Sequence, residues 1–209
     1  MKKNYTVFFA VIAALIVLCA FWSCSSSDDD DGPSLPNAEE ASLGDDAQVP
    51  LATVEQVYDA DGDPYNSTNN VEPHTDSSSF NTGVKTLSSI SSGKLTLELP
   101  RFTYWGEVDP LWLQTMGFTA NPSDVQTFYM GGLDVDSTSF MLNKTDGTNE
   151  VKYIYADRDA VIQGTGGDEE GIFVANLILK QGWNLAISNP TSMRTAIPGA
   201  GYKWVVSDD

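Results

Sequence analysis

Carboxylates are the main chemical resource of this chain, because the other usual catalytic groups are almost missing. Its 209 residues include 29 Asp and Glu but one histidine, His74, and two cysteines, Cys19 and Cys24. A Ser-His-Asp or Cys-His arrangement needs a histidine held rigidly by the fold, and His74 follows Pro73 in a polar stretch. Both cysteines lie near the N-terminus, so zinc sites and internal disulfides lack their components. The sequence therefore predicts a protein that is not an enzyme.

Two uses of the surplus carboxylates stay open. Asp59, Asp61 and Asp63 alternate as in the first half of a calcium loop, and calcium outside the cell can fill weak oxygen sites. Gly62 lies between these acids and Pro64 follows them, which is more simply the composition of a hairpin turn. We expect no cofactor, and calcium is the one that this segment would suit. Carboxylates about 5–10 Å apart also perform glycoside hydrolysis, but no spacing identifies such a pair.

An aromatic cluster is the candidate for ligand binding. Tyr104 and Trp105, followed by Trp112, occur between strand-like segments, with Glu107 and Asp109 close by in sequence. Aromatic side chains on a loop can form a platform for a sugar ring, and polar neighbours can bind its hydroxyl groups. Carbohydrate is therefore the candidate ligand. The alternative is that the segment closes an open end of the domain and buries its aromatic rings.

The charge balance excludes one class of partner. Eleven basic residues against 29 acidic ones give a formal charge of −18. Binding to nucleic acid relies on basic side chains that neutralise phosphates, so we expect no nucleic-acid partner.

The N-terminus has the pattern of an export signal. Lys2 and Lys3 precede an apolar run over residues 5–22, as in a signal peptide, although the run is nearly long enough to span a bilayer. Ser23 and Cys24 end the run, and this junction resembles a bacterial lipobox, in which the cysteine is lipidated and becomes the new N-terminus. We therefore expect a signal peptide over residues 1–23 and a membrane anchor at Cys24.

Residues 24–50 follow as an acidic segment. They are rich in Asp, Glu, Ser and Ala with no Lys or Arg, a composition that predicts a disordered tether. Ser25 follows Cys24 and the acidic run begins shortly afterwards, which resembles the tethers of Bacteroidota-type lipoproteins exposed on the outer membrane. The alternative is a solvated spacer of no special meaning.

Residues 51–209 read as a single β-rich domain. In Lys94–Leu99 the three leucines alternate with polar residues, which predicts a half-buried strand. Further short strands are predicted at 126–130, 139–143, 150–155, 160–163, 172–180, 183–187 and 202–206. We expect an all-β fold, an antiparallel β-sandwich with a β-barrel as the alternative. The exceptions are an exposed loop over residues 66–79 and one helical turn around residues 110–116.

Two finer expectations concern burial. The run Ile172, Phe173, Val174, Ala175 is apolar on both faces, which predicts a central strand. Trp183 and Trp204 lie on regular strands, where large aromatic residues usually fill the core.

Several blocks of the domain, over residues 93–97, 153–157 and 179–184, look like recurrent segments of uncharacterised bacterial surface lipoproteins. This resemblance implies location and class, and no activity. We expect a non-catalytic binding or structural module on the cell surface. A protein-interaction subunit that uses a strand edge and a carboxylate glycosidase are the alternatives.

Overall fold

A computed structural model describes residues 34–44, 51–74, 88–99, 116–135, 140–168 and 171–208. These residues belong to one compact unit. Their strands are β1 Ser42–Gly44, β2 Leu51–Tyr58, β3 Asn69–His74, β4 Ser89–Ser91, β5 Lys94–Leu99, β6 Thr119–Asn121, β7 Thr127–Met130, β8 Gly132–Val135, β9 Phe140–Thr145, β10 Glu150–Ala156, β11 Ala160–Asp168, β12 Gly171–Leu179, β13 Gly182–Asn189, β14 Ser192–Thr195 and β15 Lys203–Asp208.

Seven of the strands close into a barrel. Their order is β15, β2, β5, β4, β3, β8 and β9, and β9 pairs again with β15 to complete the ring. The β15–β2 pairing is parallel and the other six are antiparallel. Alternation along each strand turns every second side chain inward. Leu95, Leu97 and Leu99 follow this rule on β5 and are buried in the barrel core.

The remaining strands form a second sheet that continues from the barrel. β10 pairs with β9, and the order then runs through β13, β14, β12, β11 and β6. β7 pairs with β10, β1 pairs with β13, and the β12–β14 pairing is parallel. This sheet encloses its own apolar cluster, which includes Phe118, Ile162, Leu177 and Met193.

β10 belongs to both cores. Val151, Tyr153 and Tyr155 pack into the barrel cluster, whereas Ile154 and Ala156 pack into the second cluster. All five side chains are buried. Because successive residues of a strand point to opposite faces, one strand supplies a wall to each core and couples the barrel to the second sheet.

The all-β class is confirmed, and the architecture is the barrel that the sequence offered as the alternative to a sandwich. Two parallel pairings depart from a purely antiparallel arrangement. Trp183 and Trp204 are both buried in the barrel cluster, as expected of core aromatic residues. The helical turn expected around residues 110–116 falls almost wholly outside the described residues.

One stretch expected to be an exposed loop is part of the barrel. Asn69–His74 forms β3, which pairs with β4 on one side and β8 on the other. Val71 is its buried apolar residue. The two neighbouring strands pair with the backbone of β3 on both sides. This pairing outweighs the polar side chains, which favoured a loop in the sequence.

Residues 34–44, which composition places in the tether, run along the second sheet. The Glu39 amide donates a hydrogen bond of 3.0 Å to the Thr195 carbonyl. Ala41 is buried, and Leu43 packs against the barrel cluster. These two apolar residues and the backbone pairing hold the chain on the domain, so contact with the domain begins before the boundary expected near residue 50.

We predict that Ile154→Ala destabilises the protein by about 2–5 kcal/mol, because it leaves a cavity in a fully buried wall between two cores. Ile172→Ala, at a side chain that is 60% exposed, should cost less than about 0.5 kcal/mol. Urea unfolding followed by circular dichroism measures both changes. An equal loss of unfolding free energy in the two variants would contradict the burial of β10 on both of its faces.

Candidate functional site

A groove of about 640 Å³ opens on the second sheet beside the start of β12. This volume is in the range of ligand-binding clefts. Its walls come from β10, from the β9–β10 hairpin, from the start of β12 and from the β13–β14 turn. The lining residues are Met116, Thr148, Glu150, Lys152, Gly171, Ile172, Phe173, Ser188, Asn189, Pro190 and Thr191. The lining is therefore apolar and polar in similar measure.

An ion pair lies in the wall of the groove that β10 provides. Lys152 donates to a carboxylate oxygen of Glu150 and, at 2.9 Å, to the Gly131 carbonyl. The lysine side chain is only 12% exposed, and that of Glu150 is 41% exposed. Because both groups are on alternate residues of one strand, their charges cancel within the groove, and the glutamate is the more accessible partner.

A tight turn positions Thr148 at one side of the groove. Asp146 accepts hydrogen bonds from the Thr148 amide at 2.9 Å and the Asn149 amide at 2.8 Å. Gly147 has a φ of 93°, which a glycine adopts without strain. The dipeptide Asp146-Gly147 is a sequence signal for a hairpin turn, and this turn joins β9 to β10.

A second turn closes the opposite side. The side-chain oxygen of Asn189 accepts from the amides of Thr191 and Ser192 at 3.0 and 2.8 Å. This amide side chain folds the chain back from β13 to β14. The oxygen of Asn189 is therefore committed to the turn, and the groove offers a ligand the hydroxyl of Ser188 and the Glu150 carboxylate instead.

β12 is a central strand, between β14 and β11, as predicted, but its start is not buried on both faces. Val174 and Ala175 are buried, but Ile172 is 60% exposed. β14 pairs with β12 from Val174 onward, and the chain before Ser192 turns away toward β13. The apolar character of residues 172–175 could not reveal this, because it depends on where a neighbouring strand begins.

The three acids proposed for calcium form a turn. The Oδ1 atom of Asp59 accepts hydrogen bonds from the amides of Asp61 at 3.1 Å and Asp63 at 2.8 Å. The Asp59 amide donates to the Asp63 carbonyl at 2.9 Å, and Gly62 has a φ of 88°. Within the described part of the chain, no group of three or more His, Cys, Asp or Glu is placed to hold a metal ion.

The other sequence candidates fall largely outside the described residues. Tyr104, Trp105 and Trp112 lie outside them, and so does Cys24. The backbone of His74 ends β3 opposite Gly132.

A partly buried ion pair in the barrel had no sequence signal. Lys144 binds both carboxylate oxygens of Glu55 at 2.8 Å. Its ammonium lies 5.8 Å from the centre of the Trp204 ring, which stacks on Tyr153 at 6.3 Å. Burial raises the pKa of the Tyr153 hydroxyl, with the Glu55 charge acting in the same direction. The pair joins β2 to β9, strands that are distant in sequence.

Comparison with protein-family models, curated proteins and solved structures finds no match for this chain. In the ranges that the structure describes, no helix reaches the length and hydropathy that crossing a membrane requires.

We predict that the Asp146 carboxyl titrates with a pKa of about 2, below its ordinary value of 3.8, because the amides of Asn149 and Thr148 donate to it. The folded state has the lower pKa, so this carboxylate stabilises the fold above about pH 4, and that contribution disappears as the pH falls toward 2. Carbon-detected NMR of the side-chain carboxyl gives the midpoint of the titration. In Asp146→Asn, the free energy of unfolding should fall less between about pH 4 and pH 2 than in the unaltered chain. A midpoint near 3.8 would contradict the turn geometry.

Proposed function

We propose that this chain is a non-catalytic binding module anchored through Cys24 outside the cell, with the groove on the second sheet as its binding site. The groove carries the proposal. It combines a typical ligand-site volume, an exposed Ile172, and a carboxylate and hydroxyl on its walls, which is the mixed lining of sites that hold a ligand by both contact area and hydrogen bonds.

The absence of a catalytic role is part of the proposal. In the groove, the Lys152 ammonium is paired with Glu150 and with a backbone carbonyl. These contacts give the lysine a structural role. Among the described residues that line the groove, Glu150 is the single carboxylate. A glycosidase needs two carboxylates across the scissile bond, so the described groove favours binding over hydrolysis.

Two ligand classes follow from different parts of the chain. The aromatic cluster at Tyr104, Trp105 and Trp112 points to carbohydrate, and we retain this ligand class as a proposal from the sequence. A specific feature of the groove favours the second function, a protein-interaction subunit of a surface assembly. The start of β12 presents an exposed edge that β14 does not cover, and such edges recruit strands.

We predict that Cys24→Ala abolishes lipidation, because the thiol of Cys24 is the group that accepts the lipid. Cys19→Ala is the matched control and should keep the label, since Leu18 before it departs from a lipobox. Metabolic labelling with an alkyne fatty acid in a bacterial host measures both. A label that persists in Cys24→Ala would contradict the anchor.

We predict that glycan binding, measured on an array with the full chain in detergent, falls at least tenfold in Ile172→Arg, because the new side chain occupies the groove. Ile197→Arg is the matched control, as Ile197 is also an exposed isoleucine, at 65%, and does not line the groove. A glycan that binds both variants equally would place the site elsewhere. An array without signals would remove carbohydrate as the ligand.

A further inference from the structure

Residues 34–44, which we call the strap, begin on strands β12 and β14 of the second sheet. The Pro36 carbonyl accepts a hydrogen bond of 2.9 Å from the Asn176 side chain, and the Asn37 carbonyl accepts one of 3.2 Å from the Arg194 guanidinium. Asn176 and Arg194 are opposite each other where β12 pairs with β14. The strap is therefore attached to the domain within its first four residues.

The strap then continues as a strand of the second sheet. The Leu185 amide donates to the Ala41 carbonyl at 2.9 Å, and β1 pairs with β13 up to Gly44. Ala41 is 2% exposed, so burial adds to the backbone pairing. Because the strap is attached near both of its ends, the chain that precedes it leaves the domain beside β12 and β14, and not at the start of β2.

This attachment shortens the link between the domain and the proposed anchor. Ser34 follows Cys24 by ten positions, whereas Leu51, at the start of β2, follows it by 27. A fully extended chain spans at most about 3.6 Å per residue, so the strap reduces the reach of the link from about 95 Å to about 35 Å. The side of the domain that carries the strap is therefore the side held closest to the membrane.

Exposed apolar side chains lie on that side. Leu35 and Ile197 are two of the four large apolar side chains that are exposed in the described part of the chain. Leu35 directly precedes Pro36, and the Ile197 amide donates at 3.0 Å to the Glu39 carboxylate. Two side chains are too few to hold a protein on a bilayer by themselves, but a lipid anchor raises the local concentration of lipid around them, so that weak contact suffices.

We propose that the strap orients the domain on its membrane, with Leu35 and Ile197 against the surface of the bilayer that carries the Cys24 anchor. The strap determines which side of the domain faces the lipid, the ten-residue link keeps that side near, and the two apolar side chains make the contact. The inference rests on the proposed anchor and goes beyond it, because an anchor on a long free link sets no orientation.

Site-specific fluorescence tests the orientation in the lipidated chain, purified from a bacterial host and reconstituted in phosphatidylcholine vesicles. Ile197→Cys takes a bimane label. Phe140→Cys is the matched control, because Phe140 is also an exposed apolar residue, at 46%, and lies on β9 of the barrel, whereas the strap lies on the second sheet. Lipids with a nitroxide on the headgroup should quench the label at position 197 at least threefold more than the label at position 140. Equal quenching would overturn the inference.

Two variants, each added to the labelled Ile197→Cys chain, test whether the strap sets the orientation. Ala41→Asp places a charge at a buried position and should release the strap, which lowers the quenching at position 197 at least twofold. Ser42→Asp is the matched control and should leave the quenching unchanged, because Ser42 is exposed. Amide hydrogen exchange at Leu185 measures the release, because this amide donates to the Ala41 carbonyl.

Two outcomes of this second experiment would overturn the inference. One is faster exchange of the Leu185 amide in Ala41→Asp with no change in quenching, because the orientation would then persist without the strap. The other is a Leu185 amide that stays protected in Ala41→Asp, because the burial of Ala41 would then not hold the strap on the sheet.

The fatty-acid label separates this inference from the proposed anchor. A chain that takes the label and stays with the vesicles, but shows equal quenching at positions 197 and 140, would keep the anchor and lose the orientation. A chain that takes no label and does not stay with the vesicles would overturn both proposals.

Discussion

The structure depends on the burial of β10 on both of its faces. Tyr153 faces the barrel core and Ile154 faces the second core, and neither side chain can leave its place without opening one of them. A strand that is half-buried can tolerate shifts on its free face, but this strand has none over its central residues. The barrel and the second sheet are therefore expected to unfold together.

The same strand gives the groove a rigid wall. Glu150 and Lys152 lie at the start of β10. Because packing in the two cores fixes the position of β10, it also fixes the position of this ion pair. Turns built on Asp146 and Asn189 fix the remaining sides through their own side-chain hydrogen bonds. A site on regular strands and capped turns is held more firmly than one on a long loop, and this favours binding without large rearrangement.

The sequence predicts the parts of the fold that depend on local pattern. Alternation of leucines identified Lys94–Leu99, and turn residues identified the hairpin at Asp146. The features it missed depend on partners that are distant in sequence. β3 is polar and is held by β4 and β8, residues 34–44 are held by the second sheet, and Glu55 meets Lys144 across 89 positions of the chain. The open edge at Ile172 was missed for the same reason, since it exists because β14 stops short. Of the candidate site residues named from sequence, the three acids at residues 59–63 are described and form a turn.

Residue-resolved hydrogen exchange tests the account most directly, because it measures the buried strand and the open edge in one experiment. The Ile154 amide should exchange only through global unfolding, whereas the Ile172 amide should exchange far faster than its neighbour Phe173, whose amide faces β11. Protection of Ile172 equal to that of Phe173, or rapid exchange of Ile154, would contradict the account.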